Sequence, residues 1–173
     1  YSPNKKIKYT TKIVKDKEII NLNFIEMDII KTPGHTLDHV IFYNKKYNLL
    51  FSGDTLFRLG CGRIFEGTNQ EMFSSLKKIY KLDNRTLVYC GHEYTKTNLS
   101  FLLSIFPHET LLCEKKKIDL QIKETGSSIP FNLDKEKQLN PFLAPNSNFF
   151  QKYKKDNNLS IFEFFSYLRE LKN

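Results

Sequence analysis

The hydrophobic rhythm of the chain changes near residue 93. Before it, apolar residues come in short runs punctuated by Gly. Residues 24–30, 40–43 and 48–51 read as strands, with residues 44–47 suited to a hairpin turn between the last two. Thr68-Asn69-Gln70-Glu71 has the spacing of a capping box, and Met72, Leu76, Ile79 and Tyr80 follow on one helical face. Asp83-Asn84-Arg85 breaks that helix, and residues 86–90 form a short apolar strand ending at Gly91. Beyond residue 93 the period becomes helical: 94–106 stopped by Pro107, 109–124 stopped by Gly126, and 159–171. Between the last two lies a stretch with Pro130, Pro141 and Pro145 that reads as loop. The expectation is an α/β domain over 1–93 followed by a helical domain over 94–173.

Composition narrows the class. With 173 residues, 40% hydrophobic and 27% charged, the chain can form a substantial core with a smaller appendage, and it is not a disordered polymer. No apolar run reaches the roughly 18 residues of a membrane span. The net charge of +8 raises the question of nucleic acid. Only four of the 27 basic residues are Arg, however, and the Lys pairs are scattered rather than gathered in a stripe. Nucleic-acid readers lean on the planar guanidinium, so nucleic acid is not the expected partner. Cys61, Cys90 and Cys113 form no CxxC, are odd in number and read as small buried apolar residues in a reducing compartment. A cytoplasmic home is the expectation, with an organellar one left open, and a monomer is expected only of the intact protein.

Candidate chemistry lies where polar residues end apolar strands. His35 follows Gly34, Asp54 follows Gly53 and His92 follows Gly91. Strand ends hold side chains rigidly, and a preceding Gly lets the backbone turn sharply toward an ion. Imidazoles with a carboxylate suit zinc, or less selectively iron or manganese. His39 lies close by in sequence, while His108 follows Pro107 at a helix end and reads as structural or surface.

The segments Thr32-Pro33-Gly34-His35-Thr36, Phe51-Ser52-Gly53-Asp54-Thr55-Leu56-Phe57, Gly60-Cys61-Gly62-Arg63 with Glu66-Gly67-Thr68, and Tyr89-Cys90-Gly91-His92-Glu93-Tyr94-Thr95 resemble, in order, glyoxalase II. This is the hydroxyacylglutathione hydrolase family of the metallo-β-lactamase superfamily. Asn98-Leu99, the run Asn140-Pro141-Phe142-Leu143 and the basic last helix also resemble its helical domain. The resemblance implies part of an αββα sandwich followed by an α-helical domain. It implies two divalent metal ions, zinc first and iron or manganese as alternatives. His35 would bind one, His92 the other, and Asp54 both. It further implies hydrolysis of S-(2-hydroxyacyl)glutathione to glutathione and a 2-hydroxy acid by water activated between the ions, without a protein nucleophile. Arg63, Phe65, Tyr94, Arg169 and Lys172 stand where that family meets its glutathione thioester. His39 stands where the family has a His outside the metal ligands.

The chain departs from the pattern in three places. Phe65 replaces a tyrosine, and Ala144 replaces an arginine. The family motif THxHxDH is absent, and none of the residues before His35 is His. The chain therefore reads as the C-terminal portion of such an enzyme, active in the intact protein and inactive by itself. The alternatives are a non-catalytic module binding glutathione or a partner, or another enzyme of the superfamily such as a persulfide dioxygenase or a nuclease. The glyoxalase-like helical region argues against the last two.

Overall fold

A computed structural model describes residues 1–172. The elements run β1 (Ile19–Asn21), β2 (Glu26–Lys31), β3 (Val40–Asn44), β4 (Leu49–Gly53), β5 (Leu56–Phe57), β6 (Gly60–Cys61), α1 (Asn69–Tyr80), β7 (Leu87–Cys90), α2 (Thr95–Ile105), α3 (Glu109–Thr125), β8 (Phe131–Asn132), α4 (Leu133–Leu139), α5 (Asn148–Asp156) and α6 (Ile161–Leu171). Six strands form one sheet in the order β1-β2-β3-β4-β7-β8. All neighbours are antiparallel except β4 and β7, which run parallel. A parallel neighbour needs a crossover, and the β5-β6 hairpin and α1 supply it. Both strands consequently end at the same sheet edge, β4 at Gly53 and β7 at Cys90. That edge carries the site.

Alternation sorts the two faces of the sheet. Ile41, Tyr43, Leu50 and Val88 point into the main core with Met72, Leu76 and Ile79 of α1. Ile20, Met27 and Ile29 point the other way into a smaller cluster closed by Val14 from the N-terminal coil. On that second face Phe51 stays 42% exposed and stacks on Tyr89 at 5.2 Å.

The capping box of α1 is present: Thr68 accepts from the Glu71 N–H, and Glu71 returns to the Thr68 N–H. Such a cap contributes about 1 kcal/mol. His108 is the cap of α3, its Nδ1 accepting from the Thr110 N–H at 3.1 Å while its ring meets Phe149 edge-on. The last helix docks through Phe164 and Phe165, both fully buried. Phe165 meets Phe73 of α1 at 5.2 Å, and Phe164 meets Phe150 of α5 at 5.8 Å.

Three expectations change. The stretch read as loop between α3 and α6 contains β8, α4 and α5. β8 also joins the sheet through Val88 opposite Phe131, so the chain beyond residue 93 is not purely helical. Cys113 is exposed, because it lies on the outer side of α3, whereas Cys61 is buried.

Candidate functional site

The three strand-end residues come together. His35 Nε2 lies 3.5 Å from Asp54 Oδ2, and His92 Nε2 lies 3.5 Å from Asp54 Oδ1. One carboxylate thus faces two imidazoles, one per oxygen. Close backbone approach allows this. A Cβ on Gly91 would sit 2.6 Å from Asp54 Oδ1, and Gly53 turns with φ +50 where a Cβ would meet His39 Nε2 at 2.8 Å. Larger residues at either place would push the carboxylate or its support away.

Hydrogen bonding sets the tautomers of His35 and His39. His35 Nδ1 donates to the Arg63 carbonyl at 2.8 Å, so in the neutral ring Nε2 carries the lone pair that faces Asp54. His39 accepts the Asp54 N–H on Nε2 at 3.2 Å, which leaves its proton on Nδ1, 3.0 Å from the hydroxyls of Thr32 and Thr55. Burial, helped by the neighbouring His35, lowers the pKa of His39 and keeps it neutral. It holds the Asp54 backbone rather than facing the open site.

This donor set fits a divalent cation. Asp54 Oδ1 is buried and has no hydrogen-bond partner among the described residues. In the neutral His35 ring the Nε2 lone pair faces a carboxylate oxygen, and the two repel each other unless a positive charge lies between them. Ligands on a tetrahedral ion with bonds of about 2.0–2.1 Å stand about 3.4 Å apart, close to the spacing seen on both sides of Asp54. Among the described residues, however, no group of three His, Cys, Asp or Glu converges on a single point. The arrangement is two pairs sharing Asp54.

Around them opens a cleft of about 420 Å³ lined by His35, Asp54, Arg63, Phe65, His92, Tyr94, Arg169 and Lys172. Every residue singled out from the sequence as metal- or substrate-binding therefore lines one cleft. Phe65 tilts over the His35 ring at 4.9 Å, and Tyr94 stacks on His92 at 5.1 Å. Arg169 is almost fully buried, its guanidinium donating to the Cys61 carbonyl at 3.3 Å and lying over Phe142. The Lys172 ammonium donates to Asn98 Oδ1 and sits over Phe101 and Phe142. Burial draws its pKa down to about 8. Cys61 lines the same cleft, but burial pushes its thiol pKa up, so it is a poor nucleophile at neutral pH.

Sequence reasoning missed the supports. Asn140 donates to the Gly60 carbonyl at 3.0 Å and to Glu136 Oε2 at 2.8 Å, while Glu136 accepts the Leu59 N–H at 2.7 Å. Arg58, at the turn of the same β5-β6 hairpin, pairs with Glu114 of α3 at 3.0 Å. These buried contacts pin the hairpin that leads to Arg63. Asn140 begins a run that stood out in the sequence, but its role needed the fold.

The profile of the metallo-beta-lactamase superfamily matches residues 15–92, and that of the hydroxyacylglutathione hydrolase C-terminus matches residues 93–173. Among solved structures, ETHE1 from Myxococcus xanthus is similar with TM-score 0.56 and 20% identity, over 95% of this chain and 60% of that one. A metallo-beta-lactamase from Staphylococcus aureus is similar with TM-score 0.55 and 20% identity, over 92% and 43%. The BLEG-1 B3 metallo-beta-lactamase is similar with TM-score 0.54 and 22% identity, over 78% and 49%. At these identities the likeness establishes the fold. The chain spans about half the length of these structures.

Proposed function

Matched first by the superfamily profile and then by the hydrolase C-terminus, the chain belongs to the metallo-β-lactamase superfamily with a glyoxalase II-type second region, and from that premise we propose that the intact protein hydrolyses glutathione thioesters of 2-hydroxy acids. The observation that carries the reading is the shared cleft: Asp54 between two imidazoles, with Arg63, Arg169 and Lys172 on the same walls. Glutathione is anionic, with two carboxylates, and cations inside a partly buried cleft attract it more strongly than exposed ones would.

Members of the superfamily bind divalent metals, and His35, Asp54 and His92 would hold them here, with zinc as the proposed ion. When bound, such an ion supplies Lewis acidity, acidifying water and polarising a carbonyl oxygen. The chain's own residues do the rest. Arg63 fixes the His35 tautomer through its carbonyl and offers its side chain to the thioester's peptide portion. Arg169 and Lys172 receive the glycine carboxylate. Tyr94 supplies a phenol donor beside His92, and Phe65 shields His35 from water on one side without a hydroxyl to offer.

A second reading is glutathione binding without turnover. Each pair consists of one imidazole and the shared carboxylate, and the usual catalytic ion has three protein ligands. Thioester hydrolysis assayed on S-D-lactoylglutathione, beside binding of an S-alkyl glutathione, separates the two. Hydrolysis that falls more than about 100-fold in Asp54→Ala supports the enzyme, since even outer partners of a metal cost 10–100-fold. Binding with no hydrolysis by the intact protein supports the module.

A further inference from the structure

The two histidines beside Asp54 are held by different means. His35 is anchored through its own ring, by Nδ1 on the Arg63 carbonyl. The His92 side chain is 53% exposed, and among the described residues no hydrogen bond reaches its Nδ1. Besides facing Asp54, its ring stacks on Tyr94 at 5.1 Å and tilts toward Phe57 at 6.2 Å. The last sheet bond of that strand comes one residue earlier, from the Gly91 N–H to the Gly53 carbonyl. From the strand side the His92 carbonyl accepts only the weak Cys90 thiol at 3.3 Å, so the strong anchors of its backbone lie on its C-terminal side.

The first of these is Glu93. Its carboxylate accepts the Ser128 N–H and the Ser128 hydroxyl at 2.7 Å each, the Ser127 hydroxyl at 3.1 Å and the Thr95 N–H at 3.3 Å. Four donors on one carboxylate make a rigid joint. Ser128 and Thr95 are buried beneath it, with their hydroxyls 2.5 Å apart. Ser128 is held in turn from α3: its carbonyl accepts from Arg58 Nη1 at 2.9 Å, and Arg58 is bound to Glu114 and Gln121 of that helix. A continuous set of hydrogen bonds thus runs from α3 to the residue next to His92.

We propose that Glu93 and Ser128 are positioning residues through which the helical region sets His92 against Asp54. The helical region then has a part in building the metal centre besides lining the cleft for substrate. The proposal rests on the reading of His92 as a metal ligand. It assigns Glu93 no contact with substrate or ion.

Two measurements on the full chain test it. Chelator competition with Co²⁺ should show that Glu93→Ala and Ser128→Ala weaken one of two binding steps about 10–100-fold and spare the other, as expected for an outer partner of one ligand. Glu93→Gln, which keeps one acceptor oxygen, should lie between wild type and Glu93→Ala. Phe164→Ala, which loosens the helical core far from the loop, serves as the structural control. In the metal-free protein, ¹⁵N relaxation at the His92 amide should give an order parameter near about 0.85 in wild type and below about 0.6 in Glu93→Ala. Unchanged binding and an unchanged His92 amide in Glu93→Ala would overturn the proposal. So would equal weakening of both steps in Glu93→Ala and Phe164→Ala, which would mark a general loss of stability. Wild type that binds no Co²⁺, with His92 still losing order in Glu93→Ala, would sink the metal-centre reading and leave the joint standing.

Discussion

Removing the ammonium of Lys172 should weaken glutathione binding in a way that depends on pH. In the free cleft this ammonium sits between Phe101 and Phe142 with Asn98 as its hydrogen-bond partner, and burial lowers its pKa from 10.5 to about 8. That fall corresponds to about 3 kcal/mol against carrying the charge, at about 1.4 kcal/mol per pH unit. A carboxylate arriving at about 4 Å returns about 4 kcal/mol at an effective dielectric of about 20, before its own desolvation is counted. The net gain should be about 1–3 kcal/mol, so Lys172→Met should weaken binding of an S-alkyl glutathione about 10–100-fold at pH 7. The sign with pH is set by the lowered pKa. Below about 8 the free cleft already holds the cation; above it, binding must first take up a proton, and affinity falls by up to tenfold per unit. Calorimetric titration of wild type and Lys172→Met between pH 6.5 and about 9.5 reads this as a ratio, which cancels ionisation of the ligand's amine. The ratio of affinities should be flat below pH 8 and shrink above it. A ratio near one at pH 7, or one independent of pH, would refute the placement of Lys172 on the substrate carboxylate.

Packing and burial set three further outcomes. Burial raises the Glu136 carboxyl pKa to about 7 despite hydrogen bonds from Asn140 and Leu59. The folded state then keeps a proton that the unfolded chain releases, so denaturant stability should fall as pH rises from about 4.5 to 7, by at most about 1.4 kcal/mol per unit, and Glu136→Gln should flatten that slope. Gly91→Ala should weaken Zn²⁺ binding by more than about tenfold in chelator competition, because its Cβ would meet Asp54 Oδ1 at 2.6 Å. Phe164→Ala, at a fully buried position ringed by Phe106, Phe150 and Tyr153, should cost about 3–5 kcal/mol in urea unfolding.

Periodicity made the long elements legible. β2, β3 and β4 carry alternating core residues, and α1 has a cap with Met72, Leu76 and Ile79 on its buried face, so their existence could be read with no partner in view, although Tyr80 of the expected stripe is exposed and Phe73 is buried instead. The candidate ligands were legible for a related reason. A Gly before each of His35, Asp54 and His92 marks a place where the backbone must approach something closely. β5, β6 and β8 have two residues each, too few to show any period, and exist because the Arg58 and Asn140 contacts fold the chain back on itself. In α5 the apolar Phe149, Phe150 and Tyr153 are diluted by Lys and Asn, and the helix is held by Phe106 and Phe164 from elsewhere in the chain. Neighbours distant in sequence also decide the roles of His39, Glu93 and Glu136. Glu93 and Glu136 look like surface until the donors opposite them are known, and His39 stands outside the ligand set by resemblance alone until its bond to the Asp54 N–H is seen.

The most direct test of the metal-centred cleft is thioester hydrolysis by the intact protein, assayed together with its metal content in wild type and Asp54→Ala. Because one carboxylate serves both imidazoles, the account predicts that a single substitution removes bound divalent metal and hydrolysis of S-D-lactoylglutathione together, while S-alkyl glutathione still binds through Arg63, Arg169 and Lys172. Hydrolysis at the wild-type rate in Asp54→Ala, or metal retained in full without that carboxylate, would contradict it.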